Sequence, residues 1–560
     1  MMKRIPVFLI LLFSLLCQPL AAKTVIINAS QIKGDLTTGL RQQLDPLSHQ
    51  DKAIVFFDKA GTFVIEGTVE TRASLEIKGV SSTETVVLFD SGTDRPGFKA
   101  FFDDTFISAF GQPDSTIQVS IHDLTFRLKA HQGIWWEHAP KYGIKIYHAD
   151  KIDVERVNCY SANAKFTNFD LRVCSNITFR HCIVSNFNNC GEGGNIWIRG
   201  ATHNVSITDN VFYKYGNDEL LAFFSNIVNA RSDERGNIKR TNIRVSDNDF
   251  HYERPAYGQK DLFCDRLFTF MMQEEETPCT SVNEHIEFSN NNVYIDYLCK
   301  SVFVVLFNEH ETHRDFTIHD NKLYYGPNDS PEKYYRADFE IRDHHATPDT
   351  IFIARNEITN DCDIVNPYNG AGHTLLLQYG SNVCLENNVL VNHVTQSGFV
   401  DDVMGSNILW AAKEGGVATL RGNVFKGMKL LATVSVAEEI EHYTINATGN
   451  YFQDGTRIYC NNVRHLDLRF THNTFNSNDA NFFLQEFAGE GSVVFNHNEV
   501  TLNAGGRLMT HWDSRFDTHS LRFTRLEVQG NVFRGATSEQ DLLKGITNVG
   551  ERIVRGNRYE

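Results

Sequence analysis

A short pattern built around one asparagine recurs along most of the chain and constrains its fold more than any other feature. An apolar residue, two other residues, Asn, any residue and a second apolar residue follow one another, as from Ile207 through Asn210 to Phe212. The matching positions are Asn210, Asn248, Asn291, Asn321, Asn356, Asn388, Asn423, Asn450, Asn473, Asn498, Asn531 and Asn557. They are spaced 23 to 43 residues apart, which is typical of proteins that stack one structural unit on the next.

The residues on both sides of each asparagine alternate between apolar and polar, as in Val205-Ser-Ile207 and Val211-Phe-Tyr213. Such alternation indicates strands with one buried face. The asparagine is therefore expected at a tight corner between two strands, where Asn tolerates the left-handed conformation and bonds local backbone. If the coils stack at roughly 4.8 Å, equivalent asparagines are expected to hydrogen-bond one another in a ladder.

A third strand precedes the pattern in each coil. Examples are Gly143–Tyr147, Asn168–Val173, Asn195–Arg199 and Thr374–Tyr379. Three strands per repeat predict an all-β fold, a single parallel β-helix solenoid of roughly fifteen coils and about 70 Å in length. Residues 35–45 are expected to form an N-terminal capping helix, because Asp35 suits the N-cap position and Pro46 follows the last turn.

The N-terminus has the features of a secretory signal peptide over residues 1–22. Lys3 and Arg4 precede an apolar run over residues 7–16, and small residues follow at 19–22. We therefore expect a secreted or periplasmic protein, or one attached to the cell surface, without a transmembrane segment. Removing two basic residues changes the formal net charge from −16 to about −18, which disfavours nucleic acid as a partner.

The rest of the chain is expected to form one continuous unit. Residues 23–100 are assigned to the N-terminal cap and first coils, and residues 101–560 to the β-helix, with polar loop insertions at about 251–285 and 326–350. Exported proteins can form disulfides, but the cysteines at 159, 174, 182 and 190 fit a stack of buried thiols equally well. No cysteine or histidine spacing is typical of zinc, so no metal site is expected.

The first strands after the helix resemble the start of pectate-lyase-type β-helices. They are Ala53–Phe57, Thr62–Ile65, Leu75–Gly79 and Thr85–Leu88. Together with the repeat, they make nearly all of the chain resemble the pectin-lyase-like superfamily of right-handed parallel β-helices. That resemblance implies a groove for glycans on the outward face of the third strand of each coil.

Alternation on three consecutive third strands predicts two outward columns of side chains. The columns are Lys145, Asp170 and Trp197, and beside them Tyr147, Arg172 and Arg199. Arginine suits carboxylate or sulfate groups, and tryptophan suits the apolar face of a sugar, so these residues are candidates for binding an acidic glycan. An ordinary solvated sheet face, with Asp170 paired to a base, is the alternative.

Two adjacent carboxylates, Asp218 and Glu219, follow in the next coil and are candidates for acid or base catalysis. The surrounding stretch resembles polygalacturonase-type hydrolases, in which Asp218 matches a catalytic aspartate, although Asn217 and Gly194 stand where two others are expected. It also resembles the alginate lyase and chondroitinase B family. There Glu219 matches a calcium-binding glutamate, which allows calcium as a cofactor, and Phe224 replaces the catalytic lysine. An acidic turn without catalytic function is equally compatible with these residues.

A second charged cluster contains Glu340, Arg342, Asp343, His344 and His345. Counting coils places it about five coils from Arg199, as a distant subsite or a charged loop. The leading hypothesis is a protein that binds an acidic polysaccharide and cleaves it. In a hydrolase Asp170, Asp218 and Glu219 would be the acid and base groups, and in a lyase an arginine or a tyrosine such as Tyr147 would replace the missing lysine. The alternative is a non-catalytic, adhesin-like glycan-binding rod.

Overall fold

The computed structural model describes most of the chain after residue 21. The described ranges are 22–90, 105–129, 142–162, 166–187, 193–215, 219–224, 238–252, 264–271, 281–295, 299–306, 311–326, 337–342, 350–361, 376–379, 382–393, 407–411, 416–427, 430–434, 440–453, 457–460, 463–476, 481–485, 490–510, 522–544, 546 and 548–560.

The chain winds through three strands per coil, and equivalent strands of successive coils form three parallel faces. Face A comprises Val69–Thr71, Thr105–Phe110, Tyr142–Tyr147, Thr167–Arg172, Ile196–Arg199, Glu219–Phe224, Cys264–Met271, Cys299–Leu306, Ala337–Arg342, Leu376–Tyr379, Asn407–Ala411, Leu430–Val434, Arg457–Cys460, Asn481–Gln485 and Arg507–Thr510.

Face B carries the strands that precede the asparagine corner. Its strands are Thr24–Asn28, Lys52–Phe56, Ser74–Lys78, Ile117–Leu128, Ala149–Ala162, Ile177–Arg180, Thr202–Thr208, Ile238–Ser246, Ser281–Ser289, Glu311–His319, Thr350–Ala354, Asn382–Glu386, Gly416–Arg421, Ile440–Thr448, Val463–Thr471, Glu490–Asn496, Arg522–Gln529 and Val549–Arg555.

Face C carries the strands that follow the corner, and the long strands Ile117–Leu128 and Ala149–Ala162 run through both faces. Its other strands are Gly61–Ile65, Thr85–Phe89, Ile183–Phe187, Val211–Tyr215, Asp249–Tyr252, Asn292–Ile295, Lys322–Tyr325, Glu357–Asn360, Val389–Asn392, Val424–Lys426, Tyr451–Gln453, Thr474–Asn476, Glu499–Thr501, Val532–Arg534 and Arg558–Tyr559.

The described residues form fifteen strands in face A, which agrees with the prediction of roughly fifteen coils, and the chain is a right-handed parallel β-helix. Inward side chains stack on their equivalents in the next coil and fill a continuous apolar core. The Phe212 and Phe250 rings, for example, stack with centroids 5.0 Å apart. Burial of these aromatic and aliphatic columns stabilises each coil only through its neighbours, as in other solenoids.

The predicted asparagine ladder is present and links all twelve corners. In each of its eleven steps, the backbone N–H and the side-chain Nδ2 of one asparagine donate to Oδ1 of the next, at 2.8 to 3.1 Å. Asn321 Nδ2 also donates to the Phe288 carbonyl of the preceding coil at 3.0 Å. One amide therefore holds three coils together.

The left-handed residue at each corner is not the asparagine, as we had expected, but the residue before it. Asp209, Asn290, Arg355 and Gly449 are examples, with φ between 54° and 67°. None of the twelve asparagines has a positive φ. The preceding residue makes the turn, and the asparagine that follows can then direct both its N–H and its amide along the stack.

The N-terminal helix is confirmed as Leu36–Leu44, and Asp35 caps it by accepting a hydrogen bond from the Thr38 N–H at 2.7 Å. Leu40 and Leu44 are buried against the first coils, which covers the apolar interior at this end. A 3-10 turn, Ala29–Gln31, precedes the helix, and a short helix, Glu539–Leu542, lies near the other end. Residues 1–21 lie outside the described part of the chain.

Each range assigned to a loop insertion contains sheet strands. Cys264–Met271 and the start of Ser281–Ser289 fall within 251–285, and Ala337–Arg342 falls within 326–350. Phe268 and Phe270 are both buried. The apolar alternation around them is so short that the range 251–285 as a whole remains polar in composition, which is why the strand was not predicted. Neither range is therefore one uninterrupted loop.

Three of the four clustered cysteines, Cys159, Cys174 and Cys182, are free thiols in the core, which agrees with the stack of buried thiols. Cys190 lies outside the described residues. No helix in the described part of the chain is long and apolar enough to cross a membrane.

Candidate functional site on face A

The two predicted columns on face A are in register. Lys145, Asp170 and Trp197 are successive partners on three neighbouring strands, and Tyr147, Arg172 and Arg199 are partners beside them. The inward alternation of Phe169 and Leu171 places both columns on the opposite side of the sheet. Three coils thus contribute one compact group of side chains.

Asp170 lies at the centre of this group and accepts hydrogen bonds from two arginines. Arg172 Nε donates to Oδ2 at 2.7 Å, and Arg199 Nε donates to Oδ1 at 2.8 Å. The side chain of Asp170 is 0% exposed and those of both arginines are 4% exposed. We expected these three side chains to face solvent; instead they form a buried ionic triad, because neighbouring side chains cover them.

Aromatic rings surround the two guanidinium groups. Arg199 lies 4.9 Å from the Trp197 ring centroid and 4.6 Å from that of Phe224. Arg172 lies 5.2 Å from the Tyr147 ring and 5.8 Å from the Tyr142 ring. Such contacts are favourable for a cation held out of water, so the rings both shield the arginines and fix their positions.

The residues of the group that reach solvent are Lys145, Tyr147 and Trp197, each partly exposed. The Lys145 ammonium lies 4.9 Å from the Tyr142 ring and 5.5 Å from the Tyr147 ring. Phe110, from the preceding coil, stacks on Tyr147 with centroids 5.0 Å apart. The accessible surface is therefore cationic and aromatic, and the buried triad forms its floor.

Burial raises the pKa of Tyr147 to about 12, and the nearby Asp170 carboxylate acts in the same direction although Arg172 and Arg199 oppose it. The phenol is therefore neutral at physiological pH. In that form it can donate a hydrogen bond or a proton.

Trp197 has a fixed position because it packs on a glycine. A Cβ atom on Gly194 would lie 2.2 Å from the indole Nε1 and 2.4 Å from the Glu219 carbonyl oxygen. The Phe224 ring meets the indole edge-on at 5.3 Å. Gly194 stands where the polygalacturonase resemblance expects an aspartate, and this close contact leaves no room for a larger side chain.

A buried polar corner supports the strand that carries Trp197. Asn186 Nδ2 donates to the Gly194 carbonyl at 2.9 Å, and Asn195 Nδ2 donates to the Val184 carbonyl at the same distance. The buried Lys214 ammonium donates to the Gly193 carbonyl. Sequence reasoning did not select these residues, since polar residues at a corner resemble ordinary turn residues.

The acidic turn is only partly described. Glu219 begins its strand on face A and is 5% exposed, and its partner in register is Arg266. Asp218 lies outside the described residues. Of the three candidate catalytic carboxylates, Asp170 and Glu219 are therefore both buried.

Two residues of the second cluster, Glu340 and Arg342, lie on a strand of the same face. This strand, Ala337–Arg342, is four strand steps from the strand of Arg199, whereas the spacing of the asparagines predicts about five coils. At about 4.8 Å per step this is roughly 19 Å. Asp343, His344 and His345 lie outside the described residues.

Sequence reasoning also missed Tyr142, Phe110 and Phe224, the rings that complete the aromatic surround. Phe224 and Phe110 are the partners of Arg199 and Tyr147 in register, so extending the columns by one coil in each direction would have found them. Tyr142 lies at the start of its strand, outside the two columns, and alternation gives no signal for it.

No protein-family model matches the chain, and no curated protein does. Solved structures are similar at low level. The catalytic domain of a GH87 alpha-1,3-glucanase in complex with tetrasaccharides is 12% identical over 78% of this chain and 70% of that chain, with a TM-score of 0.39.

A family 28 exopolygalacturonase from Yersinia enterocolitica is 11% identical over 91% of this chain and 78% of that chain, with a TM-score of 0.33. A mannuronic acid specific polysaccharide family 6 lyase from human gut microbiota is 10% identical over 92% of this chain and 87% of that chain, with a TM-score of 0.32. Likeness at this level adds nothing to the strand pairing described above.

Proposed function

We propose that this protein binds an acidic polysaccharide on face A and cleaves it. The single observation that carries this proposal is the partly exposed group of Lys145, Tyr147 and Trp197 above a buried arginine pair. The three residues lie on two strands of face A, one on each side of the strand that carries Asp170. An aromatic ring suits the apolar face of a sugar, and an ammonium group suits a carboxylate or sulfate on that sugar.

The support for an acidic rather than a neutral glycan is electrostatic. Lys145, Arg172 and Arg199 lie within three coils, and Asp170 is the acid among the four side chains of this group. Arginines held away from water attract an anion more strongly than arginines in bulk solvent do. This local cationic surface stands in contrast to the formal net charge of −16 for the whole chain.

Asp170 is a positioning residue in this proposal rather than an acid or base. Both of its oxygens accept hydrogen bonds from arginine, and it is fully buried. For hydrolysis, Asp218 and Glu219 are the candidates for acid and base. For elimination, Asp218 or Glu219 is the candidate base that takes the proton from the carbon next to the sugar carboxylate, and the neutral Tyr147 hydroxyl is the candidate to protonate the departing sugar oxygen as the double bond forms.

Calcium has no role in the proposed reaction. A calcium ion takes six to eight oxygen ligands, whereas Glu219, which the resemblance assigns to calcium, is buried.

A non-catalytic glycan-binding rod is the second candidate. The burial of Asp170 and Glu219 favours it, because a buried carboxylate exchanges protons with a ligand at the surface less readily than an exposed one does. Such a protein would bind the same acidic glycan and release no product. Export through the N-terminal signal peptide suits both candidates.

The test is a panel of acidic and neutral polysaccharides incubated with the purified protein. Reducing ends report hydrolysis, and reducing ends with ultraviolet absorbance of an unsaturated sugar report elimination. Elimination by the wild type, lost in Tyr147→Phe and kept in the exposed control Tyr294→Phe, would support Tyr147 as the acid. Hydrolysis that depends on Asp218 or Glu219 would assign these carboxylates instead, and binding without product would identify a rod.

A further inference from the structure

Three metal-ligating side chains meet on face B, far along the chain from the site on face A. They are His442, His465 and Asp467, and their ligand atoms all lie within 4.8 Å of one another. His442 Nε2 lies 3.1 Å from Asp467 Oδ2, and His465 Nε2 lies 3.3 Å from Asp467 Oδ1. Two imidazoles thus converge on one carboxylate.

The β-helix places these residues together by its register. His442 and His465 are partners on the neighbouring strands Ile440–Thr448 and Val463–Thr471, and Asp467 follows His465 by two residues on the same side of its strand. His442 and Asp467 are 25 residues apart in the sequence, which is why a search for short linear spacings does not find them. All three residues lie on paired strands, so the backbone that holds them is already ordered before a metal ion binds.

The observed separations fit the geometry of zinc. With Zn–N and Zn–O distances of about 2.0 to 2.1 Å in a tetrahedral site, neighbouring ligand atoms are roughly 3.4 Å apart. The two nitrogen–oxygen separations of 3.1 and 3.3 Å are close to that value. An ion would replace the direct contacts between the imidazoles and the carboxylate without large movement.

A further residue orients the carboxylate. The Ser492 hydroxyl, on the next strand, donates to Asp467 Oδ1. Hydrogen bonds of this kind fix the direction of a metal ligand and typically change metal affinity by 10–100-fold when removed. The side chain of Asp467 is 18% exposed and that of His442 is 57% exposed. The carboxylate is therefore largely covered by protein, whereas the His442 imidazole is accessible from solvent.

Two other histidine–aspartate pairs in the described part of the chain are not in a group of three possible metal ligands. His285 Nδ1 lies 2.9 Å from Asp315, and His393 Nδ1 lies 2.6 Å from Asp361. Of the described residues, only His442, His465 and Asp467 form a group of three with this spacing. The isolated pairs provide natural controls.

We propose that His442, His465 and Asp467 bind one divalent transition-metal ion, with Zn²⁺ as the best fit. Two imidazole nitrogens and the Asp467 carboxylate, which presents one oxygen to each imidazole, supply the ligands, and a further position faces solvent. The ion links two neighbouring coils of face B. This inference is independent of the site proposed on face A.

The experiment is a calorimetric titration of Zn²⁺ into tag-free, metal-stripped, full-length protein. We expect one tight binding event per chain and a higher thermal midpoint in the presence of Zn²⁺. His442→Ala and the double variant His442→Ala/His465→Ala are expected to weaken this event at least tenfold, and Ser492→Ala about tenfold. The control His285→Ala should bind as the wild type does.

Because His442 lies on the surface, its alanine variant is expected to fold, which circular dichroism verifies. If the wild type bound no Zn²⁺, or if His442→Ala and the double variant bound it as tightly as His285→Ala does, the proposed site would be wrong.

Discussion

Arg199 Nε donates a hydrogen bond of 2.8 Å to Asp170 across two neighbouring coils. Arg172, two residues after Asp170 on the same strand, occupies the other carboxylate oxygen. The buried carboxylate is shared by two cations, so it offsets only part of the free energy that burying the two arginines costs. The same hydrogen bonds therefore position the arginines of the candidate site and hold two neighbouring coils together.

Asp170→Asn is therefore expected to lower the free energy of unfolding by about 3–5 kcal/mol, the typical cost of breaking a buried ion pair. The control is Asp123→Asn, which breaks the more exposed pair with Arg156, whose side chains are 27% and 46% exposed. That change should cost less than about 1 kcal/mol. Urea unfolding of both variants is the measurement, and equal effects would show that burial of the triad has no energetic importance.

Substitution of a ladder asparagine should destabilise the protein most in the middle of the ladder. Asn321→Ala removes an amide that donates to Phe288 and Asn356 and accepts from Asn291. Each buried group left without a partner costs about 1–3 kcal/mol. Asn557, the last residue of the ladder, is only partly buried, and its alanine variant should lose less. The reverse order in thermal melts would contradict the ladder as a stabilising element.

The residue before each ladder asparagine should tolerate Asn better than Ala. Gly449 has a φ of 67°, and a Cβ atom there would meet nothing within 4 Å. Gly449→Ala is expected to cost about 1–2 kcal/mol from backbone strain alone, and Gly449→Asn clearly less, as asparagine occupies the same place at Asn290 and Asn387. The measurement is the free energy of unfolding of the two variants. An equal loss in both would contradict left-handed backbone strain at position 449 as the cause.

The buried cysteines should be inert in the folded protein. Burial raises the pKa of Cys174 and Cys182 to about 12, and that of Cys159 well above its usual range. Because only the thiolate reacts, iodoacetamide at pH 8 should modify these three thiols only after unfolding. Peptide mapping by mass spectrometry is the measurement, and modification of any of the three in the native protein would contradict their placement.

The fold can be predicted from the sequence because every coil repeats the same local sequence pattern. The corner asparagines, the alternating strands and the Asp35 cap are each visible in a few consecutive residues, and the register of Lys145, Asp170 and Trp197 follows from them. The depth of burial does not follow. Alternation shows on which side of a strand a side chain lies, but the rings of Tyr142 and Phe224 that cover the arginines come from other coils.

The central claim, that face A binds an acidic polysaccharide, is tested most directly by measuring binding affinity for an acidic oligosaccharide and for a neutral one of equal length. The proteins to compare are the wild type, Lys145→Ala, Trp197→Ala and the control Tyr294→Ala. The account predicts preference for the acidic sugar, at least tenfold weaker binding in the first two variants and unchanged binding in the third. Equal binding of acidic and neutral sugars, or unchanged affinity in both Lys145→Ala and Trp197→Ala, would contradict it.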